Sequence, residues 1–283
     1  MVIKLRGVDF SSNNIGNIPL VEREVRDDVK TLLNNYGRTF SKREGLAVQD
    51  FIDGLKSENL WTNIGNLYIP ALAEDVSKTL LNIKTGVFDA TPKNTVYLLQ
   101  DKGLRTIYDS SNGVIPADDR AVVKTNGSYM NMHMMVYITP QDKTLENEYD
   151  PIDYFSLLGN GVTKTFRTAL NRTNGQWNVI WNSASPKYLM GMVKDTLSNF
   201  IGISCGSDGV IIGVNDNSDR GNLGPTETVD TTMTDVPTYI GLAYNYTPSC
   251  TNPMRMISMG TSFTKEQLLK YNELCDALIA AIC

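Results

Sequence analysis

The spacing of apolar and polar positions changes once along this 283-residue chain. Over residues 20–35, Val21, Val25, Val29, Leu32 and Leu33 recur at near-helical spacing, which predicts a helix that stops at Gly37. Ser41 and Glu44 are placed to form a capping box at the start of a second helix, with Leu46, Val48, Phe51, Ile52 and Leu55 as its apolar positions. Leu60, Trp61, Ile64, Leu67 and Ile69 follow, Pro70 stops regular structure, and a third short helix is expected over 74–81. Residues 1–20 show no helical period and read as an extended arm.

From Gly86 onward the pattern is that of strands, expected at 96–99, 106–108, 121–124, 129–138, 155–158, 163–170, 177–181, 188–193, 200–204, 210–214, 239–246 and 254–260. Five dipeptides punctuate them: Asn112-Gly113, Asn126-Gly127, Asn160-Gly161, Asn174-Gly175 and Asp208-Gly209. Asn or Asp followed by Gly meets the positive φ of a two-residue hairpin at low steric cost, so the region reads as antiparallel sheet. Residues 215–235 read as a long polar loop, the first place to look for binding. Thr264 and Gln267 predict a second capping box. It opens a helix whose stripe of Leu268, Leu269, Tyr271, Leu274, Cys275, Leu278, Ile279 and Ile282 needs an apolar surface to lie on.

Charge density drops where the period changes, which places a boundary at residues 84–88. The expected organisation is an N-terminal arm and helical attachment region over 1–84, then a β-sandwich domain with a C-terminal helix over 85–283. The net charge of −5 without a basic block argues against a nucleic-acid partner. Neither a signal peptide nor an apolar run long enough to span a bilayer is found, so membrane insertion is not expected. Cys205, Cys250, Cys275 and Cys283 lack CxxC spacing and read as reduced thiols. The single His133 excludes a two-histidine site, so no metal or cofactor is expected. In the strand around it, Met130, Met132, Met134 and Val136 share one face and Asn131, His133, Met135 and Tyr137 the other; core packing accounts for both.

Candidate chemistry is sparse. Trp177, Trp181 and Tyr188 lie in adjacent runs, with Trp177 and Trp181 on one face by parity. Inter-sheet core is the simpler account; a surface that stacks on sugar rings is the functional one. Asp216 and Asp219, with Gly221 and Glu227, have part of a calcium-loop spacing, but Arg220 stands where an oxygen ligand is needed. A solvated acidic loop is the simpler account here too. Asp118, Asp119, Glu146, Glu148, Asp150 and Asp153 could supply the paired carboxylates of a glycoside hydrolase, although loops are commonly acidic. Three glycosylation sequons, at Asn126, Asn171 and Asn245, are read as chance. No phosphate-binding loop, nucleophile elbow or strand-anchored dinucleotide fingerprint occurs.

Residues 40–84 resemble a segment of tailed-phage virion appendage proteins, through Phe51, Ile52, Leu55, Leu60, Trp61, Ile64, Leu67, Tyr68, Pro70, Asn82, Ile83 and Lys84. Residues 256–260 and 262–279 are similar to the closing strand and helix of the same family. The resemblance implies a concanavalin/laminin-G-like jelly roll and a non-enzymatic tail- or head-fibre component. Such a protein would be assembled in the host bacterial cytoplasm into the virion, with other virion proteins as partners. Homo-oligomerisation is implied, trimeric by analogy with fibres, as is a distal surface that recognises a host glycan. No catalytic residue is carried over.

Overall fold

The computed structural model of the chain describes residues 23–88, 90–92, 96–100, 102–107, 114–116, 131–138, 152–158, 165–171, 176–181, 187–189, 200–207, 210–215, 218–223, 238–240 and 253–283. Among them are three α-helices, α1 (Asp27–Asn34), α2 (Lys42–Ser57) and α3 (Lys265–Ile282). The strands are β1 (Ile64–Tyr68), β2 (Leu81–Asn82), β3 (Val87–Phe88), β4 (Ala90–Pro92), β5 (Val96–Gln100), β6 (Gly103–Ile107), β7 (Val114–Pro116), β8 (Met132–Ile138) and β9 (Ile152–Leu158). They continue with β10 (Thr165–Asn171), β11 (Gln176–Trp181), β12 (Lys187–Leu189), β13 (Phe200–Cys205), β14 (Ile211–Asn215), β15 (Ser218–Leu223), β16 (Thr238–Ile240) and β17 (Met254–Thr261).

The strands form two antiparallel sheets. The first runs β15-β14-β13-β8-β17-β1-β2-β3, with β6 also paired to β17 and β5 to β6. The second runs β12-β11-β10-β9-β16-β7-β4. The edge strands β12 and β15 lie alongside each other, so the two sheets approach at that end.

Helix α3 starts at the expected capping box: Thr264 Oγ1 accepts from Gln267 N at 3.2 Å, and Gln267 Oε1 accepts from Thr264 N at 2.8 Å. It lies on the first sheet and on α2. Tyr271, Cys275 and Leu278 join Met135, Tyr137, Phe200 and Met256 of the first sheet and Phe51 and Leu55 of α2 in one core. The opposite face of the sheet is closed as well, at Met132, Met134, Val136, Ile203, Ile257 and Met259. A strand buried on both faces has no need of polar alternation, which explains the near-continuous apolar run of β8.

Helix α2 begins at the expected Ser41–Glu44 box. Burial opposes the charge on Glu44, but bonds from Ser41 and Arg38 outweigh it and hold the carboxyl below its usual pKa. Gly37, at φ +73°, ends the first helical segment as expected. Helix α1, however, begins only at Asp27. Residues 23–26 are outside the helix and Arg26 is extended: its N donates to Gln49 Oε1 at 2.8 Å, and its guanidinium meets Asp53 and Asp28 at 2.6 and 3.1 Å. The contacts to Gln49 and Asp53 of α2 override the apolar period.

Two further expectations are corrected in this region. The apolar positions after Leu60 form one 3-10 turn and then β1, which pairs with β17 inside the first sheet. The helix expected over 74–81 is a single 3-10 turn, Val76–Lys78, capped by Asp75 on Ser77 N at 2.7 Å, followed by β2. Asn82 holds β2 in place, accepting at Oδ1 from Leu67 N and Lys84 N and donating to Asn66 Oδ1. Segments this short cannot show a period, and the sheet decides their state.

The five turn dipeptides lie outside the described residues. Three of them connect strands that pair as neighbours: β9 with β10, β10 with β11, and β13 with β14. The other two do not, because β6 and β8 belong to the first sheet and β7 to the second. The strand expected over 121–124 also falls outside the described residues.

Candidate functional site

Register in the second sheet sorts its residues into two faces, because directly opposed residues of an antiparallel pair share a face. Trp181 opposes Phe166, Trp177 opposes both Leu170 and Leu189, Phe166 opposes Leu157, and Phe155 opposes Ile240. That face is mostly apolar, with Thr168, Thr238 and Lys187 as its polar positions. The other is not. Ile180 opposes Arg167, Arg167 opposes Ser156, and Ser156 opposes Tyr239, a row across four strands. Beside it Tyr188 opposes Asn178, and at the strand end Gln176 opposes Asn171.

The three aromatic candidates are therefore divided. Trp177 and Trp181 share the apolar face, whereas Tyr188 stands on the polar one with Arg167, Asn178, Ser156 and Tyr239. The sequence reading missed these last four. Parity within each strand was visible, but relating one strand to the next needs the register, and β9 carries a bulge opposite Thr168 and Ala169 that shifts it.

The acidic candidates fare differently. Asp219 lies in β15, opposite Val214, so part of the loop expected over 215–235 is a strand that pairs with β14. Its run Ser-Asp-Arg-Gly-Asn-Leu lacks apolar alternation because it is an edge strand, and pairing on one side suffices to hold it. A strand over 218–223 is incompatible with a calcium loop wrapping residues 216–227. Asp216 lies outside the described residues, as do Asp118, Asp119, Glu146, Glu148 and Asp150. Asp153 is in β9, opposite Ala169. The structure brings β12, which carries Tyr188, next to β15, which carries Asp219. Among the described residues no three His, Cys, Asp or Glu side chains gather as metal ligands.

His133 is committed to structure. It is fully buried in β8, where Nδ1–H donates to the Thr261 carbonyl at 2.6 Å. That bond fixes the tautomer and leaves Nε2 to accept from Ser258 Oγ–H at 3.0 Å. The ring packs on Phe263 at 4.1 Å and meets Tyr271 edge-on. Burial pushes its pKa down to about 4, against the upward pull of the Thr261 bond. Cys275 is likewise buried, with its thiol pKa pushed up first by burial and then by Asp276. Neither group is placed to meet a ligand.

No protein-family model and no curated protein matches the sequence. Solved structures do resemble the fold. One is a Trypanosoma rangeli sialidase in complex with a difluoro keto-deoxy-nononic acid, at TM-score 0.53 and 12% identity over 83% of this chain and 40% of that one. Another is the binding domain of botulinum neurotoxin serotype D, at TM-score 0.50 and 12% identity over 75% of this chain and 52% of that one. The chain thus spans about half or less of the length of each. At this identity the likeness is one of fold.

Proposed function

We propose that this protein is a carbohydrate-binding β-sandwich that uses the polar face of its second sheet. The observation that carries the reading is the row Arg167–Ser156–Tyr239 with Tyr188–Asn178 beside it, set on a sheet whose other face is mostly apolar. Tyrosine rings suit the C–H faces of sugars, while Arg, Asn, Gln and Ser match their hydroxyls. One sheet carries these groups at neighbouring register positions. Resemblance in fold to a sialidase and to a toxin binding domain supports the choice of ligand class. The finer architecture proposed is a concanavalin/laminin-G-like jelly roll. The protein acts by binding, without catalysis. A glycan array followed by calorimetry tests this: the intact chain binds a glycan, and Arg167→Ala and Tyr188→Ala each weaken it about tenfold or more.

A second reading places the same protein on a phage particle as a fibre or appendage subunit. It is favoured by residues 40–84, whose family-like positions Phe51, Ile52, Leu55, Leu60, Ile64, Leu67 and Ile83 are all buried in the core shared by α2, α3 and the first sheet. Burial of these positions in one core supports reading residues 40–84 as built into the sandwich. The two readings are compatible. Mass spectrometry of purified virions tests the second, which fails if the chain is missing from them.

A further inference from the structure

Trp61 follows α2 in a 3-10 turn and is half-buried against the main core. Two lysines reach its ring. Lys84 Nζ lies 4.4 Å from the ring centroid and Lys56 Nζ 5.5 Å. Lys84 also donates to the Trp61 carbonyl, and its own backbone N–H is pinned by Asn82 Oδ1 at 3.0 Å. Lys56 sits in the last turn of α2. Three elements thus bring two ammonium groups onto one indole.

Among the described residues neither ammonium has a close carboxylate, although Lys56 attracts Asp28 at longer range. In and around the helices Arg23, Arg26, Lys30, Arg38, Lys42 and Lys270 each have a carboxylate no farther than 3.9 Å away. Among the described residues neither Lys56 nor Lys84 has one. Neighbouring carboxylates are committed elsewhere, Asp28 to Arg26 and Glu58 to Lys270. Lys84 is half-buried, and its pKa is lowered first by that burial and then by Lys56. Cation–π attraction offsets part of the cost of placing like charges together, but an oxyanion would offset far more.

We propose that Lys56, Trp61 and Lys84 form a binding site for a small oxyanion, a carboxylate or a sulfate, either free or carried on a sugar. The ammonium groups meet the anion, with the indole as the wall between them. The site uses other elements than the sheet face described above and does not rest on the carbohydrate reading.

The test titrates the intact chain with sodium sulfate, sodium glucuronate and glucose at matched ionic strength, reading tryptophan emission and heat. Sulfate and glucuronate are expected to give saturable responses, and glucose none. Trp61→Phe removes the emission change and weakens the binding read as heat. Lys56→Met and Lys84→Met each lower affinity at least tenfold, with melting temperature as the check on folding. If Lys84→Met does not fold, the exposed Lys56 carries the test. Equal affinity for the two anions identifies a site for the bare oxyanion, and tighter glucuronate a site for a sugar-borne one. Absence of saturation with both anions overturns the proposal, as does unchanged affinity in the folded lysine variants.

Discussion

At His133 the sequence offers one titratable ring and the fold denies it a charge. Its folded pKa, about 4, is below the usual 6.5. Native protein therefore binds fewer protons than unfolded chain in that range, and stability falls as pH drops from 6.5 to 4. The loss from this group reaches about 3 kcal/mol at the acid end. His133→Gln should lower the melting temperature at pH 7 and flatten its slope between pH 6.5 and 4 relative to wild type. An unchanged slope would show that carboxylates alone set the acid limit. Gly260 is a second decisive position. A methyl there would sit 1.9 Å from the Asn63 carbonyl oxygen and 2.6 Å from Gly65 N, both backbone atoms. Gly260→Ala should cost more than about 3 kcal/mol in a urea melt. Asn272 works in the other direction. It is fully buried on α3, and neither amide atom has a partner among the described residues. Asn272→Leu should stabilise the chain by about 1–2 kcal/mol; a loss of stability would mean that the amide is hydrated.

Among the elements, those with their own local signal were legible in the sequence. The boxes Ser41–Glu44 and Thr264–Gln267 lie where the residues place them, because capping needs only three residues' reach. Thr264→Ala should cost about 1 kcal/mol, read as a drop in melting temperature. The long strands β8, β10, β11, β13 and β17 were also readable from their apolar and β-branched content. Elements defined by their partners were not. Strands β1 and β2 are held between β17 and β3 by pairing and by Asn82, and Arg26 is held extended by α2. Strand β15 is polar throughout except for Leu223, so only its pairing with β14 marks it as a strand. The turn dipeptides gave the hairpins but could not say where the chain changes sheet.

For the whole molecule, α2, α3 and the first sheet share one core, so the helical lead-in and the sandwich are built together. The second sheet carries the candidate surface, and β12 beside β15 joins its edge to the first. The candidate site was the least legible part of the sequence, since its residues come from four strands and meet only through register. The aromatic pair most visible in the chain, Trp177 and Trp181, shares the apolar face. The direct test is calorimetric titration of a glycan selected by array into wild type, Arg167→Ala, Tyr188→Ala and a control. Val76→Ala, in the 3-10 turn before β2, serves as the control. Binding that is lost in the first two variants and retained in the control is the expected result. Binding that survives both substitutions, or an array without a single ligand, would contradict the assignment of this face.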